Sequence, residues 1–414
     1  MAKRIVVAGG GFAGLWAAAA AARLRDRRGA EARLDIRLVA PDPFHTIRVR
    51  CYESDLAGIR VPLDDVLGPI GVQRCEARVE RIDADRRSLT IRATGGSGQE
   101  LGYDRLVLAS GSAVVPPPIP GLSEHAFDVD TYAGAARLDA HLRALAEGRA
   151  QPGRWTAAVL GAGLVGIEIA CELPARLAAL RAAGSDEPVR VILIERGPEI
   201  GADMGAGRPA ILAALAALAE AGVETRTGTT IASVDARGIN LGNGETIPVG
   251  TLICATGLRA SPLAEQLAAP RDRLGRLEVD AYLAVENVPG VYAAGDIARA
   301  AADDAGHATV MSCQHARPMG RLAGHNAACD LLGVPDERAA FFAPDYVTVL
   351  DLGPWGAAYT SGWERGVLVA SGEEAKRVKS TINRQRIYPP GGRDAILAAA
   401  APIIQSRPAA PRAT

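Results

Sequence analysis

Two glycine-rich motifs of the same kind constrain the fold of this chain more than any other feature. The three glycines of the first motif are Gly9, Gly11 and Gly14, and those of the second are Gly161, Gly163 and Gly166. In a strand–turn–helix unit, G-x-G-x-x-G spacing makes a tight turn, lets the backbone approach a pyrophosphate and points the helix N-terminus at the phosphates. Glycine-rich turns are common, so one motif is weak evidence. Two in one chain predict two dinucleotides bound at once.

The segments around both motifs alternate between strand-like and helix-like patterns. Around the first we expect a strand, a helix and a strand at Arg4–Ala8, Gly14–Arg27 and Leu34–Ala40. Around the second we expect the same order at Ala157–Leu160, Leu164–Ala183 and Val189–Glu195. This alternation predicts an α/β fold with two Rossmann-like dinucleotide-binding domains.

A third short apolar segment, Val291–Ala294, runs into Gly295 and Asp296 and needs a sheet to join. The N-terminal sheet is otherwise short of strands, which favours insertion of the second domain within the first over two independent tandem domains. We therefore predict a discontinuous first domain (1–118 and 274–330), an inserted domain (121–267) and a small α+β C-terminal module with a basic tail (341–414).

Composition narrows the classes of function. A net charge of −1 argues against a nucleic-acid partner, and 48% apolar with 22% charged residues is typical of a soluble enzyme. The N-terminus runs directly into the first strand, and no stretch reaches the roughly 18 to 20 apolar residues of a membrane span. We therefore expect a cytoplasmic protein. The six cysteines form no C-x-x-C or C-x4-C pair, so we predict no redox dithiol and no metal site.

Carboxylates after the second strand of each unit distinguish the two motifs. Glu195 ends its strand, where it would accept from the 2′-hydroxyl of NADH and repel the 2′-phosphate of NADPH. Because Arg196 follows it, we expect a preference for NADH that leaves NADPH usable. In the first unit Ala40 and Pro41 stand where the acid belongs, and the nearest carboxylate is Asp42. Either Asp42 reaches back to the ribose or the ribose is held otherwise.

Two further acids point to the chemistry. Asp296 follows Gly295 at a strand end, where it can accept from a ribityl hydroxyl, and together with the first motif this indicates a flavin. Glu168 lies in the first helical turn after the second motif. We expect it to contact the nicotinamide side of the cofactor, the alternative being a favourable acid at a helix N-terminus. A bound flavin beside an exchangeable nicotinamide predicts hydride transfer between them.

These motifs, with Ala293–Asp296 and the segment from Cys313 to Asn326, resemble the pyridine-nucleotide flavoprotein superfamily, and most closely its type II NADH dehydrogenases. The resemblance implies non-covalent FAD, hydride transfer from NADH and reoxidation by a quinone. That group carries two glutamines on the quinone side. Gln314 matches the first, which implies a catalytic role for it, and Pro318 stands at the second. His307 and His315 are expected to be structural or loop residues.

The basic tail allows two interpretations. Its charges alternate with apolar residues and comprise Arg377, Lys379, Arg384 and Arg386. The pattern suits a solvated face and, as the alternative, a peripheral contact with the inner face of the membrane. The expected partners are a small-molecule electron acceptor, such as a quinone, and a second copy in a homodimer. Two other functions stay open: a soluble NAD(P)H-dependent flavin reductase in a biosynthetic or ferredoxin-linked pathway, and a slow NADH-sensing binding protein.

Overall fold

The computed structural model describes residues 2–93, 95–148, 151–181 and 187–403. Its α-helices are α1 (Phe12–Arg27), α2 (Leu63–Leu67), α3 (Leu122–His125), α4 (Tyr132–Glu147), α5 (Leu164–Leu180), α6 (Arg208–Ala217), α7 (Cys313–Leu332), α8 (Gly372–Thr381) and α9 (Arg393–Ala399). A π-helical turn, Ile382–Arg386, continues α8. Ala183, the predicted last residue of the helix after the second motif, lies outside the described residues.

Two five-stranded parallel sheets form the frame of the molecule. The first has the strand order Val291–Ala293, Arg105–Leu108, Lys3–Ala8, Leu34–Ala40 and Gln73–Glu76. The second has the order Ala126–Phe127, Thr251–Cys254, Thr156–Leu160, Arg190–Ile194 and Val223–Arg226. The predicted α/β class with two Rossmann-like units is confirmed. The chain re-enters the first sheet at Val291–Ala293, whereas the residue limits given to the domains stay predictions.

Smaller sheets surround these two. The three-stranded antiparallel sheets are Arg78–Asp83 with Ser88–Arg92 and Gly98–Gly102, Ile231–Asp235 with Gly238–Leu241 and Thr246–Pro248, and Val347–Asp351 with Ala357–Ser361 and Val367–Ser371. The two-stranded pairs are Phe44–Thr46 with Arg60–Pro62, Ser112–Val114 with Leu258–Ala260, and Leu277–Glu278 with Ala298–Arg299. The last three-stranded sheet and α8 form the C-terminal module.

Helix α7 packs directly against the backbone of α1. A Cβ atom at Gly320 would lie 2.2 Å from the carbonyl oxygen of Ala13, and one at Gly324 would lie 1.9 Å from that of Ala17. Only glycine tolerates such an approach of one helix to the backbone of another. The alanine-rich sequence of α1 is buried between the first sheet and α7 as a result.

The tail differs from the prediction at Lys379 and at Arg386, which is half-buried. Arg377 and Arg384 are exposed, as a solvated face requires, but Lys379 is buried. Its ammonium group forms an ion pair with Glu168 of α5. The carboxylate of Glu168 stabilises the buried positive charge in place of water. The expectation that Lys379 belongs to a solvated or membrane-facing surface was wrong. No helix in the described ranges is long and apolar enough to cross a membrane.

Candidate active site

One cavity of about 970 Å³ joins the two glycine motifs. This is at the upper end of the size range of small-molecule sites, about 300 to 1,000 Å³. Seven of the residues selected from the sequence line it: Gly11, Asp42, Gly163, Glu168, Gly295, Asp296 and Gln314. The other five do not line it and instead build or flank the two turns: Gly9, Gly14, Gly161, Gly166 and Glu195.

The first turn is closed by contacts that exclude any side chain. Gly9 has a φ of +125°, and a Cβ atom there would lie 2.3 Å from the carbonyl oxygen of Ala109. A Cβ atom at Gly14 would lie 1.8 Å from the carbonyl oxygen of Gly9, so α1 starts directly against the turn. At Gly11, no atom lies within 4 Å of the place that a Cβ atom would take, so the N-terminus of α1 is accessible from the cavity.

The second turn repeats this construction. A Cβ atom at Gly166 would lie 1.8 Å from the carbonyl oxygen of Gly161, and the Cβ position of Gly163 has no atom within 4 Å. The Glu195 carboxylate lies against this turn. Its Oε2 accepts from the backbone N–H of Ala162 at 3.0 Å, and its Oε1 accepts from that of Gly197 at 2.7 Å. The acid is thus fixed in orientation at the edge of the turn.

Asp42 lies at the edge of the cavity and already has local partners. Its Oδ1 accepts from the backbone N–H of Phe44 at 3.0 Å and from Arg60 Nη2 at 2.8 Å. The Arg60 guanidinium lies over the rings of Phe44 and Tyr132, at 3.8 and 4.4 Å from their centroids. This arrangement holds Asp42 in place, and Oδ2 makes no hydrogen bond within the described part of the chain.

Asp296 lies on the cavity wall in a charged cluster. Ser112 Oγ donates to its Oδ2 at 2.6 Å, and Arg48 Nη1 lies 3.4 Å from the same oxygen. Arg48 also pairs with Asp130. Burial raises the pKa of Asp296 above its ordinary value, and the charge of Arg48 opposes that shift. Gly295, at a φ of +80°, makes the turn that presents the carboxyl group.

A buried network connects α5 to the C-terminal module beside the cavity. Lys379 Nζ lies 2.7 Å from Glu168 Oε1, which also accepts from the backbone N–H of Asp351 at 3.0 Å. Tyr52 donates to Asp351 Oδ2 at 3.1 Å. Burial alone would lower the pKa of Lys379, but the carboxylates of Glu168 and Asp351 raise it above its ordinary value. Glu168, Lys379 and Tyr52 all line the cavity.

Sequence reasoning missed Lys379 and Tyr52. The available signal for Lys379 was its helical position four residues after the apolar Ala375, which places both on one face of α8. That signal is faint, because lysines at such spacing are common on exposed helices. Tyr52 gave none.

The far end of the cavity is formed by the start of α7 and by the C-terminal module. Gln314 Nε2 donates to the backbone carbonyl of Asp345 at 3.2 Å, and Pro318 lies one turn further along α7. Ser110 Oγ and Ser312 Oγ also border the cavity, are buried and have no hydrogen-bond partner among the described residues. These hydroxyls, with the accessible turn at Gly11, fit a large polar ligand of the size and chemistry of FAD.

Two glycine turns that open into one cavity define a protein that holds two dinucleotides together. Residues 3–320 match a family model described as pyridine nucleotide-disulphide oxidoreductase. An NADH dehydrogenase-like protein of Mycobacterium tuberculosis is 54% identical over 98% of this chain and 100% of that relative. Demethylphylloquinone reductase NdbB of Synechocystis is 29% identical over 71% of each chain.

A solved structure shares the fold. NDH2 from Plasmodium falciparum in complex with NADH superposes with a TM-score of 0.77 at 12% identity, over 97% of this chain and 98% of that one. The chain belongs to the pyridine nucleotide-disulphide oxidoreductase family and is an NADH dehydrogenase-like oxidoreductase. The resemblance stated from the sequence is confirmed, and membership of the family implies FAD and NADH as cofactors.

Proposed function

We propose that the protein oxidises NADH and passes two electrons through FAD to a quinone. The observation that carries this proposal is one cavity lined by residues of both glycine turns and by Gln314. The name of the demethylphylloquinone reductase relative supports a quinone as acceptor. The division of labour that we propose assigns FAD to residues 1–118 with 274–330, and NADH to residues 121–267.

FAD would be held by the first turn and by Asp296. Gly9 and Gly14 form the turn, and Gly11 leaves room for the pyrophosphate. Asp296 would accept from a ribityl hydroxyl, and the uncommitted Oδ2 of Asp42 would accept from the adenosine ribose. Bound FAD would supply reversible two-electron chemistry, accepting a hydride and returning electrons to the acceptor.

NADH would be held by the second turn. Gly161 and Gly166 shape it, Gly163 leaves room for the pyrophosphate, and Glu195 is oriented to accept from the adenosine 2′-hydroxyl. Glu168 borders the cavity one helical turn into α5, which supports a position beside the nicotinamide. Little acid–base chemistry is needed here, because holding two rings in reactive proximity accounts for most of the acceleration of a hydride transfer.

The acceptor would bind between the start of α7 and the C-terminal module. Gln314 borders this end, and reduction of a quinone to a quinol consumes two protons. Lys379 Nζ, kept protonated by Glu168, also borders the cavity and would hold a proton there. Pro318 in place of a second glutamine favours one alternative, a flavin reductase with a soluble acceptor.

The tail bears on where such an enzyme works. The side chains of Val367 and Leu368 are exposed, as is Arg377 of α8. Exposed apolar and basic groups in the C-terminal module support a cytoplasmic enzyme that touches the inner face of the membrane, from which a lipid-soluble quinone would arrive. Sedimentation with vesicles of anionic lipid checks this, since an enzyme that stays in the supernatant at low salt would contradict it. A homodimer stays a prediction.

Steady-state oxidation of NADH with and without a soluble quinone tests the acceptor. We expect rapid turnover that depends on the quinone, and a several-fold higher KM for the quinone in Gln314→Ala because one hydrogen-bonding side chain is lost. Gln99→Ala, which changes an exposed glutamine on an outer sheet, is the matched control. Reduction of the flavin by NADH with no acceleration by any quinone would reject the proposal in favour of a flavin reductase.

A further inference from the structure

His315 follows Gln314 in α7 and lines the same end of the cavity. Its side chain is 1% exposed. The imidazole lies nearly parallel to the rings of Tyr346 and Trp363, with centroids 5.8 and 5.7 Å away and interplanar angles of 18° and 12°. These two rings come from the C-terminal module and fix the plane of the imidazole.

The contacts of Nδ1 indicate which ring nitrogen carries the proton. The N–H of Val310 donates to His315 Nδ1 at 3.0 Å, which is shorter than the 3.4 Å between Nδ1 and the carbonyl oxygen of Val310, so Nδ1 is assigned as the acceptor. A nitrogen that accepts a hydrogen bond has no proton of its own, so the neutral ring carries its proton on Nε2. Burial lowers the pKa of His315 to about 4, which keeps the ring neutral at physiological pH.

The Nε2 atom of His315 lacks, among the described residues, the kind of partner that Nδ1 has. It is buried, and it has no hydrogen-bond partner within the ranges that the structure describes. Buried donors in native proteins nearly always have a partner, and an unpaired one calls for a ligand or an ordered water. Since His315 borders the proposed acceptor end, a ligand group that accepts a hydrogen bond is the fitting partner.

We propose that His315 donates a hydrogen bond from Nε2 to a carbonyl oxygen of the electron acceptor, which makes it a specificity-determining residue for quinones. The inference rests on the proposed function. A carbonyl oxygen gains negative charge as the quinone is reduced, and a fixed donor stabilises that charge more than it stabilises the oxidised form. A neutral donor does so without adding a further positive charge to the cavity. His315 would also provide a hydrogen-bond donor at this end of the cavity, because Pro318, which stands in place of the second glutamine, has no side-chain donor.

A pair of substitutions separates this role from simple packing. His315→Asn keeps an oxygen near the position of Nδ1 for the Val310 N–H and removes the Nε2 donor, whereas His315→Gln places an amide N–H near Nε2. We expect His315→Asn to weaken quinone binding by roughly three- to tenfold, as loss of one neutral hydrogen bond does. His315→Gln should recover most of that loss.

Three measurements on the holoenzyme read out the effect. The first is kcat and KM with a soluble quinone, and the second is turnover with ferricyanide, an acceptor without a carbonyl oxygen. The third is quinone binding by quenching of tryptophan fluorescence, because Trp363 stacks on His315. In His315→Asn, KM and the dissociation constant for the quinone should rise while ferricyanide turnover stays near that of the parent enzyme.

Several results would overturn the inference. Unchanged quinone binding in His315→Asn would do so, as would equal losses with quinone and ferricyanide that glutamine does not repair. If His315→Asn loses flavin, His315→Phe, which keeps a ring against Tyr346 and Trp363, must show the same quinone-selective loss. A parent enzyme that neither binds nor reduces quinones would instead refute the proposed function, and the inference with it.

Discussion

The two glycine turns are built alike, yet the helix that follows the first turn is buried at its start and the helix that follows the second is partly exposed there. Every residue of α1 from Phe12 to Ala22 is buried, and α7 lies on its backbone through Gly320 and Gly324. Helix α5 instead has Val165 in its first turn at 43% exposure, and it is tied to the C-terminal module by the Glu168–Lys379 pair. Helix α1 is therefore covered and the start of α5 is partly exposed, although Gly11 and Gly163 are exposed alike. Because the turns themselves are built alike, we expect the covering of the helices to set how long each cofactor stays bound.

This difference suits one permanent and one exchangeable cofactor. We expect a ligand at the first turn, beside the covered helix, to leave only when α7 or the surrounding loops move, as tightly held FAD would. We expect a ligand at the second turn to exchange without such a movement, as NADH would in every turnover. Substitutions that act on one turn and spare the other test this interpretation.

The largest effect is expected at the third glycine of each motif. Gly14→Ala and Gly166→Ala each introduce a Cβ atom 1.8 Å from a backbone oxygen, so the start of the helix must shift. We expect Gly14→Ala to yield protein without flavin, and Gly166→Ala to retain flavin and lose NADH binding. Flavin content after purification and an NADH titration measure the two outcomes. Gly68→Ala, where nothing lies within 4 Å of the new atom, is the control. Loss of flavin in both variants would contradict the comparison.

A smaller effect is expected from the pair that covers α5. Lys379→Met leaves the Glu168 carboxylate buried without its cation, and we expect the free energy of unfolding to fall by about 3 to 5 kcal/mol. The double variant with Glu168→Gln should recover part of this loss. Arg377→Met, an exposed position of α8, should change stability by no more than about 0.5 kcal/mol. Urea unfolding provides the measurement, and equal losses in Lys379→Met and Arg377→Met would show that the pair does not hold α5.

The smallest effect concerns the acid beside the second turn. Glu195→Gln keeps the size of the side chain and removes the negative charge that opposes a 2′-phosphate. We expect the ratio of kcat/KM for NADH to that for NADPH to fall by roughly tenfold, which is about 1.4 kcal/mol. Asp42→Asn, at the first turn, should leave this ratio unchanged. A ratio that shifts with Asp42 and not with Glu195 would exchange the roles assigned to the two turns.

Much of this organisation could be predicted from sequence because it is local. Each glycine motif lies with its flanking strands, and in the second unit with Glu195, within about 40 residues, so their spacing carries the information. The return of the chain at Val291–Ala293 also left a local trace, in a short apolar strand that ends in glycine.

The long-range contacts that surround the site could not be predicted from local spacing. Lys379 pairs with a residue 211 positions away, and a buried lysine at a helix position looks the same in sequence as an exposed one. The unpaired Nε2 of His315 depends on contacts from Val310, Tyr346 and Trp363, which only the folded chain brings together. The structural role expected for His315 describes its stacking and leaves its free donor unexplained.

Anaerobic titration of the purified holoenzyme with NADH tests the central claim most directly, namely that both cofactors meet in the one cavity. We expect the yellow flavin absorbance to bleach completely at about one NADH per flavin, since hydride transfer carries two electrons, and to return when a quinone is added. Protein that contains no flavin after reconstitution, or bound flavin that NADH does not reduce, would contradict the account.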